Sequence, residues 1–458
     1  MSATSYRVVN PATGDVADEF PAVPDVDIAT LIQRAHAAFV RGRDLPVVAR
    51  LRPLRRAAAL LRERALDLAA IAATEMGKPL SEGCGEVEFC ADIFDYYADH
   101  AESLTAPQHI PSSSGQARIE RRPLGVLLGI MPWNYPYYQA ARFVAPNLAL
   151  GNTILLKPAE SCPRSALAFD DLLRDAGVDH GAYRTVLATH EQVHTIIQDA
   201  RVQGVSLTGS ERAGAAVAAA AGANLKKIVL ELGGSDAHVI LDTDSVADAA
   251  HTAWSMRMEN LGQACNSNKR IIVAAAHYTE FVKELTAMAS GLEPGDPLDL
   301  IDGQFPPMSS RAAAEHLFAQ LEDAISKGAT LRAGGVLQTG PGAYFSPAVL
   351  TDVTPEMRAY REELFGPVAV IYSADDDEDA LRIANDTRYG LGAAVFSTDT
   401  ERAAALGARL DTGMIAINAA VAEGAELPFG GVKSSGYGRE LGPLGIDEFV
   451  NKRLIYTA

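Results

Sequence analysis

From residue 125 onward, short apolar runs alternate with helical stretches, and this alternation restricts the fold more than any other feature of the sequence. The runs are GVLLGIM (125–131), TILLK (153–157), YRTVLAT (183–189), GVSLT (204–208) and KKIVLEL (226–232). Helix-like segments separate them near 136–150, 163–177, 190–200 and 210–222. Connections of that length carry the chain back across a sheet, so the strands are predicted to pair in parallel as βαβ units. A second series starts at AHVILD (237–242) and continues through IIVAAA (271–276) towards AAVFST (393–398), which puts a second α/β domain near residue 235. At 458 residues the chain exceeds what one core supports, and two or three domains are expected.

The first hundred residues read as helices. In DVDIATLIQRAHAAFVRG (25–42), Ile28, Leu31, Ile32, Ala35 and Phe39 recur at spacings of three and four and form one apolar face. Amphipathic helices are expected at about 47–75 and 84–104, with a break at Gly77-Lys78-Pro79. ARIERRPLGV, from residue 117, alternates like a strand and carries Pro123 near its end, as an edge strand or arm does.

A net charge of −18 argues against nucleic acid and anionic membrane as partners, since both repel an acidic surface. No apolar run reaches the roughly 20 residues of a membrane helix, and the N-terminus shows no secretory pattern. Four cysteines (Cys84, Cys90, Cys162, Cys265), without a C-x-x-C pair, make neither a disulfide framework nor a zinc site. A reducing cytoplasm is the expected compartment.

Several segments are candidates for chemistry. GVSLTGSERAGAAVAAA reads as a strand, a turn at Gly209-Ser210, and an Ala-rich helix whose free N–H groups could hold a pyrophosphate. An ordinary strand–turn–helix corner explains it as well, and GYGREL (436–441) lacks the third glycine of a dinucleotide fingerprint. HEQVH (190–194) matches the zinc-peptidase pattern, but Thr189 and Gln192 form a capping box that places His190 in a first helical turn. No serine-hydrolase elbow occurs. A cysteine hydrolase on Cys265 would need a base, and His251 and His277 are the nearest histidines in sequence. In ENLGQACNSNKR (259–270), Gly262 permits a tight turn, and Asn266, Ser267 and Asn268 poorly suit an apolar core. Cys265 is thus either a reactive residue on a shaped polar loop or a small buried one.

Seven segments in order, MPWNYP (131–136), LLKPAE (155–160), LTGSERAG (207–214), LELGGSD (230–236), GQAC (262–265), EELFGPV (362–368) and PFGGVKSSGYGREL (428–441), resemble the aldehyde dehydrogenase superfamily over essentially the whole chain. The resemblance is greatest to bacterial succinate-semialdehyde dehydrogenases. It implies an α/β fold with a Rossmann-like cofactor domain (1–104 and 124–234), an α/β catalytic domain (235–434) and a β oligomerisation arm with the C-terminal segment (105–123 and 435–458). A homodimer or homotetramer follows from the same likeness.

The resemblance makes Cys265 the nucleophile, Asn134 and the Cys265 N–H the oxyanion donors, and Glu231 the base that hydrolyses the thioester. It places Gly209 and Ser210 at the pyrophosphate, Lys157 and Glu160 at the adenosine ribose, and Glu363 at the nicotinamide ribose. Trp133, Leu232 and Phe365 then line the cofactor site. A carboxylate at Glu160 repels a 2′-phosphate, so NAD is expected, with NADP possible. No metal is expected. Arg142 matches an arginine that pairs with the distal carboxylate of succinate semialdehyde. Glu259, however, stands six residues before the nucleophile where some relatives carry arginine, and AVAEGAE (420–426) lacks their assisting serine. Neutral and amino-bearing aldehydes therefore stay open as substrates.

Overall fold

The computed structural model describes residues 5–458. Two open sheets, each covered by helices, carry the chain. In the first, the strand order is Gly436–Tyr437, Lys227–Glu231, Val202–Thr208, Val126–Ile130, Thr153–Lys157, Tyr183–Thr185. The last five pair in parallel and Gly436–Tyr437 adds an antiparallel edge. Numbered along the chain, the five parallel strands run 5-4-1-2-3, so strand order reverses between Val126–Ile130 and Val202–Thr208. A crevice outside the carboxyl ends of the strands at such a reversal is where open α/β sheets bind ligands.

The second sheet runs Thr330–Ala333, Ala348–Thr351, Val368–Ala374, Arg270–Ala274, Ala237–Ile240, Gly392–Phe396, Met414–Ile417, all parallel except the first pair. Its strands are apolar on both faces (RIIVA, VAVIYSA) because helices cover both sides.

A third, three-stranded antiparallel sheet joins Gln108–Ile110, Gln116–Pro123 and Val450–Thr457. Of the two readings given for this strand, edge or arm, the edge does not hold: Gln116–Pro123 is the central strand, with the proline as its last residue. Gly436–Tyr437, expected with the arm, pairs instead with Leu230 and Glu231 of the first sheet.

The predicted helix over 25–42 forms as Asp25–Gly42, with Ile28, Ile32, Ala35 and Phe39 buried. The single helix expected at 47–75 is two, Val47–Glu63 and Ala65–Met76, interrupted at Arg64. Gly77 ends the second in a left-handed conformation and Pro79 precedes Leu80–Leu104. That long helix packs against Tyr138–Leu150, and its first turns face the chamber described next. No helix among the described residues is long and apolar enough to cross a membrane.

Candidate active site

Cys265 lies in the loop between a short 3-10 turn, Glu259–Gly262, and the strand Arg270–Ala274. The loop is bent by three successive left-handed residues, Asn260 (φ 48), Leu261 (φ 51) and Gly262 (φ 71). Two of them carry side chains, so the conformation must be held from outside. Arg257 supplies much of that hold. Fully buried, its guanidinium donates to the carbonyls of Gly262, Val368, Leu364 and Gly366 and to Ser267 Oγ. This arginine ties the cysteine loop to the EELFGPV segment and does not pair with Glu259. Lys269 adds a second clamp, its Nζ donating to the carbonyls of Ala264 (2.6 Å) and Cys265 (2.8 Å).

Asn134 follows the strand Val126–Ile130 at its carboxyl end. Its Nδ2 donates to the Gln263 carbonyl at 3.0 Å, while the Asn260 side chain donates to its own carbonyl at 2.8 Å. The amide is therefore held against the cysteine loop. Glu82 reinforces this from the helix Leu80–Leu104 by accepting from Asn260 N at 2.7 Å. Burial lifts the Glu82 carboxyl to about 7.

Glu231 is the last residue of the strand Lys227–Glu231 and is 1% exposed. Neither carboxylate oxygen receives a hydrogen bond from the protein. Gly430 makes space for it: a Cβ there would lie 2.6 Å from Oε1. Burial drives its pKa well up and Glu440 adds to this, while Arg142 pulls it back. The Cys265 thiol is pushed up to about 12, chiefly by burial; Arg142 and Lys269 oppose that, and Glu363 and Glu231 reinforce it. The thiol is therefore protonated at rest, and its activation depends on added positive charge or an abstracted proton.

Cys265 opens onto a chamber of about 400 Å³. Its wall is acidic, with Glu82, Glu86, Glu259 and Glu423 among the lining residues and no lysine or arginine. Glu259 accepts from Tyr135 Oη at 2.7 Å, and Glu86 pairs with buried Lys78, which also sits 3.5 Å above the Tyr135 ring. Arg142, expected at the substrate's far carboxylate, is not on this wall. It is fully buried, ion-paired with Glu440 and donating to Thr208 Oγ1 at 3.2 Å, with Tyr138 and Phe429 stacked against its guanidinium. The arginine's charge is engaged by a carboxylate behind the aromatic wall. Sequence reasoning missed Glu82, Glu423, Lys269 and Glu440, although Lys269 stands four residues past the cysteine and Glu440 ends the GYGRE run.

Trp133, Lys157, Glu160, Gly209, Ser210 and Leu232 lie at or beyond the carboxyl ends of the first sheet's strands, and Glu363 and Phe365 come from the segment before Val368–Ala374 of the second sheet. Lys157 ends Thr153–Lys157 and ion-pairs with Glu160, which also lies 3.6 Å from His190 Nε2. The Glu160 carboxyl is held below the ordinary range against its partial burial, mainly by the Lys157 charge. Gly209 and Ser210 follow Val202–Thr208, and Ser210 Oγ caps the helix Glu211–Ala223 by accepting from Ala213 N at 3.3 Å. Space beside Gly209 is open, its nearest neighbour for an added Cβ being Leu207 at 3.8 Å. Gly214 lets Leu232 approach the helix, where a Cβ would meet its side chain at 2.6 Å. Trp133 and Phe365 meet edge-on at 5.7 Å, and Glu363 is fixed by Gly234 N (3.0 Å) and Lys269 (3.1 Å). A helix N-terminus, an open glycine turn and the carboxylates of Glu160 and Glu363 beside a strand-order reversal fit a dinucleotide.

HEQVH does what its cap predicts. Thr189 and Gln192 form the capping box, His190–Gln198 is the helix, and His190 and His194 are exposed. Among the described residues no three His, Cys, Asp or Glu side chains are grouped to hold a metal ion.

The aldehyde dehydrogenase family's sequence profile matches residues 1–455. The chain is 50% identical over 450 residues to a succinate-semialdehyde dehydrogenase [NADP(+)] of Deinococcus radiodurans, covering 98% of this chain and 94% of that protein. It is 40% identical to the succinate semialdehyde dehydrogenase [NAD(P)+] Sad of Escherichia coli K12, covering 99% and 98%. Among solved structures, succinic semialdehyde dehydrogenase from Streptococcus pyogenes in complex with NADP+ superposes with a TM-score of 0.96 at 41% identity, covering 99% of each chain.

Proposed function

Because the chain belongs to the aldehyde dehydrogenase family, we propose that Cys265, Asn134 and Glu231 are the residues with which it oxidises an aldehyde to a carboxylic acid. The enzyme is an NAD(P)-dependent aldehyde dehydrogenase. The Cys265 S–H bond breaks, its proton passing to water in the chamber, and the thiolate Sγ attacks the aldehyde carbon; a C–S bond forms, and the carbonyl π pair moves to oxygen. Asn134 Nδ2 and the Cys265 N–H donate to that oxyanion. Re-forming the C=O bond breaks the C–H bond and leaves a thioester; a bound nicotinamide would supply the acceptor for the departing hydride and its electron pair. Water then attacks the thioester carbon as Glu231 takes its proton; the C–S bond breaks and sulfur leaves as thiolate. The observation that carries this reading is the half-buried cysteine opening onto the chamber, on a loop to which the Asn134 amide is hydrogen-bonded.

Lys157 and Glu160 would hold the adenosine ribose, Gly209 and Ser210 the pyrophosphate, and Glu363 the nicotinamide ribose, with Trp133, Leu232 and Phe365 as walls. NAD is favoured over NADP, because Glu160 meets a 2′-phosphate with like charge and already engages Lys157. The substrate is succinate semialdehyde, as in the names of the relatives above. The acidic chamber wall favours a second reading, an amino-bearing or uncharged aldehyde, since a carboxylate there would face Glu259 and Glu423. A panel of succinate semialdehyde, butanal and 4-aminobutanal, assayed with NAD and NADP, decides between them. The highest kcat/KM on succinate semialdehyde upholds the first reading; preference for the amino aldehyde upholds the second.

The division into a cofactor domain, a catalytic domain and an arm belongs to this same reading, as does a cytoplasmic homodimer or homotetramer. Leu454 and Tyr456, 59% and 50% exposed on the three-stranded sheet, support assembly through the arm. Sedimentation at assay concentration tests it.

A further inference from the structure

Behind the chamber, one guanidinium stands between two buried carboxylates. Arg142, from the helix Tyr138–Leu150, is ion-paired with Glu440 and donates at 3.2 Å to Oγ1 of Thr208, the register partner of Glu231 on the neighbouring parallel strand; it is the strongest opposing charge acting on Glu231. All three residues are at most 4% exposed. Glu440 accepts from Ser206 Oγ at 3.1 Å, whereas both oxygens of Glu231 lack a protein donor. The other charged or titratable groups acting on Glu231 are Arg439 and Glu448 from the C-terminal segment, and Cys265 across the loop. Arg439 also opposes the burial of Glu231, but the Arg142 guanidinium is shared, so the two buried carboxylates compete for it.

We propose that Arg142 is a positioning residue for Glu231, its charge divided between Glu231 and Glu440, and that it sets the pH at which Glu231 accepts the proton of the hydrolytic water. Arg142 thus acts on the second half of the reaction and not on the far end of the substrate. The inference rests on the thioester reading above. In the step it governs, the water O–H bond breaks and its proton goes to a Glu231 oxygen. The water oxygen bonds the thioester carbon, and the sulfur leaves with the C–S electron pair.

The two neighbours then shift Glu231 in opposite directions. Losing the cation in Arg142→Gln disfavours the carboxylate, and the pH profile of deacylation moves to higher pH. Losing the competing carboxylate in Glu440→Gln leaves the whole guanidinium to Glu231, and the profile moves to lower pH. An opposite charge within about 4–6 Å shifts a carboxyl by about 1–3 pH units. Arg142→Lys retains the charge and restores the profile towards wild type. A purely structural role would lower rates without opposed displacements.

The test uses p-nitrophenyl acetate with the full-length enzyme from pH 5 to 10. The burst of p-nitrophenolate reports acylation of Cys265, and the steady rate reports deacylation. Opposed displacements in Arg142→Gln and Glu440→Gln, with the burst retained, support the proposal. Unshifted profiles, or shifts in the same direction, overturn it. A wild-type enzyme without a burst overturns the thioester reading and this inference with it, which separates the two failures. If Arg142→Gln does not fold, Glu440→Gln and Arg142→Lys carry the same comparison. The ratio of KM for succinate semialdehyde to KM for butanal should be equal in Arg142→Lys and wild type. A rise confined to the acidic aldehyde returns Arg142 to the substrate and overturns the proposal.

Discussion

Gly234→Ala should silence the enzyme while leaving it folded. Gly234 lies just past Glu231 in the GGS segment, and a Cβ built there falls 2.2 Å from the Cys265 carbonyl oxygen and 3.1 Å from Asp236 Oδ1. Carbon–oxygen contacts are comfortable only near about 3.3 Å. The two loops must therefore part by roughly 1 Å, a displacement that at a reacting centre costs on the order of 100-fold. The displacement does not stay local, because that carbonyl accepts from Lys269 Nζ at 2.8 Å and Gly234 N donates to Glu363 at 3.0 Å. Cys265, Lys269 and Glu363 shift together. Overpacking of this size costs about 1–3 kcal/mol, which a chain of this length tolerates. The assay is kcat/KM with NAD and aldehyde, alongside a urea melt. Gly222→Ala is the control: it sits in the helix Glu211–Ala223 with no atom within 4 Å of an added Cβ, and should stabilise by about 0.5–1 kcal/mol with unchanged activity. Near wild-type kcat/KM in folded Gly234→Ala would refute the close-approach reasoning.

Two other perturbations probe separate parts of the molecule. Glu160→Ser removes the carboxylate and releases Lys157, so kcat/KM for NADP relative to NAD should rise on the order of tenfold or more; an unchanged ratio shows that Glu160 does not face the ribose. His238, buried at 1% exposure with its ring 4.6 Å from Phe396, has its pKa pushed down to about 3 by burial. The unfolded chain takes up that proton near about 6.5 and the folded one does not, so stability falls by about 1.4 kcal/mol per pH unit as pH drops through the interval. His238→Phe should therefore lose about 2 kcal/mol less than wild type between pH 7 and pH 5 in urea melts. Parallel losses would show that His238 is protonated in the fold.

The parallel sheets were legible because their signal is local: apolar runs such as TILLK and the helix Asp25–Gly42 appear at their predicted bounds. The break at Arg64 was not legible, since apolar periodicity continues on both sides of it. Cys265, Asn134 and Glu231 could be named from motifs, but nothing in GQAC reveals that Arg257 holds its bend through carbonyls about 100 residues later in the chain. Arg142 shows the limit most clearly. Its spacing from Trp133 matches a carboxylate-binding arginine, yet the partner it finds is Glu440, 298 positions away. The acidity of the chamber was visible in advance only at Glu259, because Glu82 and Glu423 reach the wall from a distant helix and a distant loop.

The covalent route through Cys265 is tested most directly by mass spectrometry of Glu231→Gln after turnover with aldehyde and NAD. With the base removed, acylation proceeds and hydrolysis stalls. An acyl mass should accumulate on the peptide containing Cys265, with one equivalent of NADH released per subunit, and both should vanish in Cys265→Ser. Continuous NADH release without an adduct, or an adduct on another residue, would contradict it.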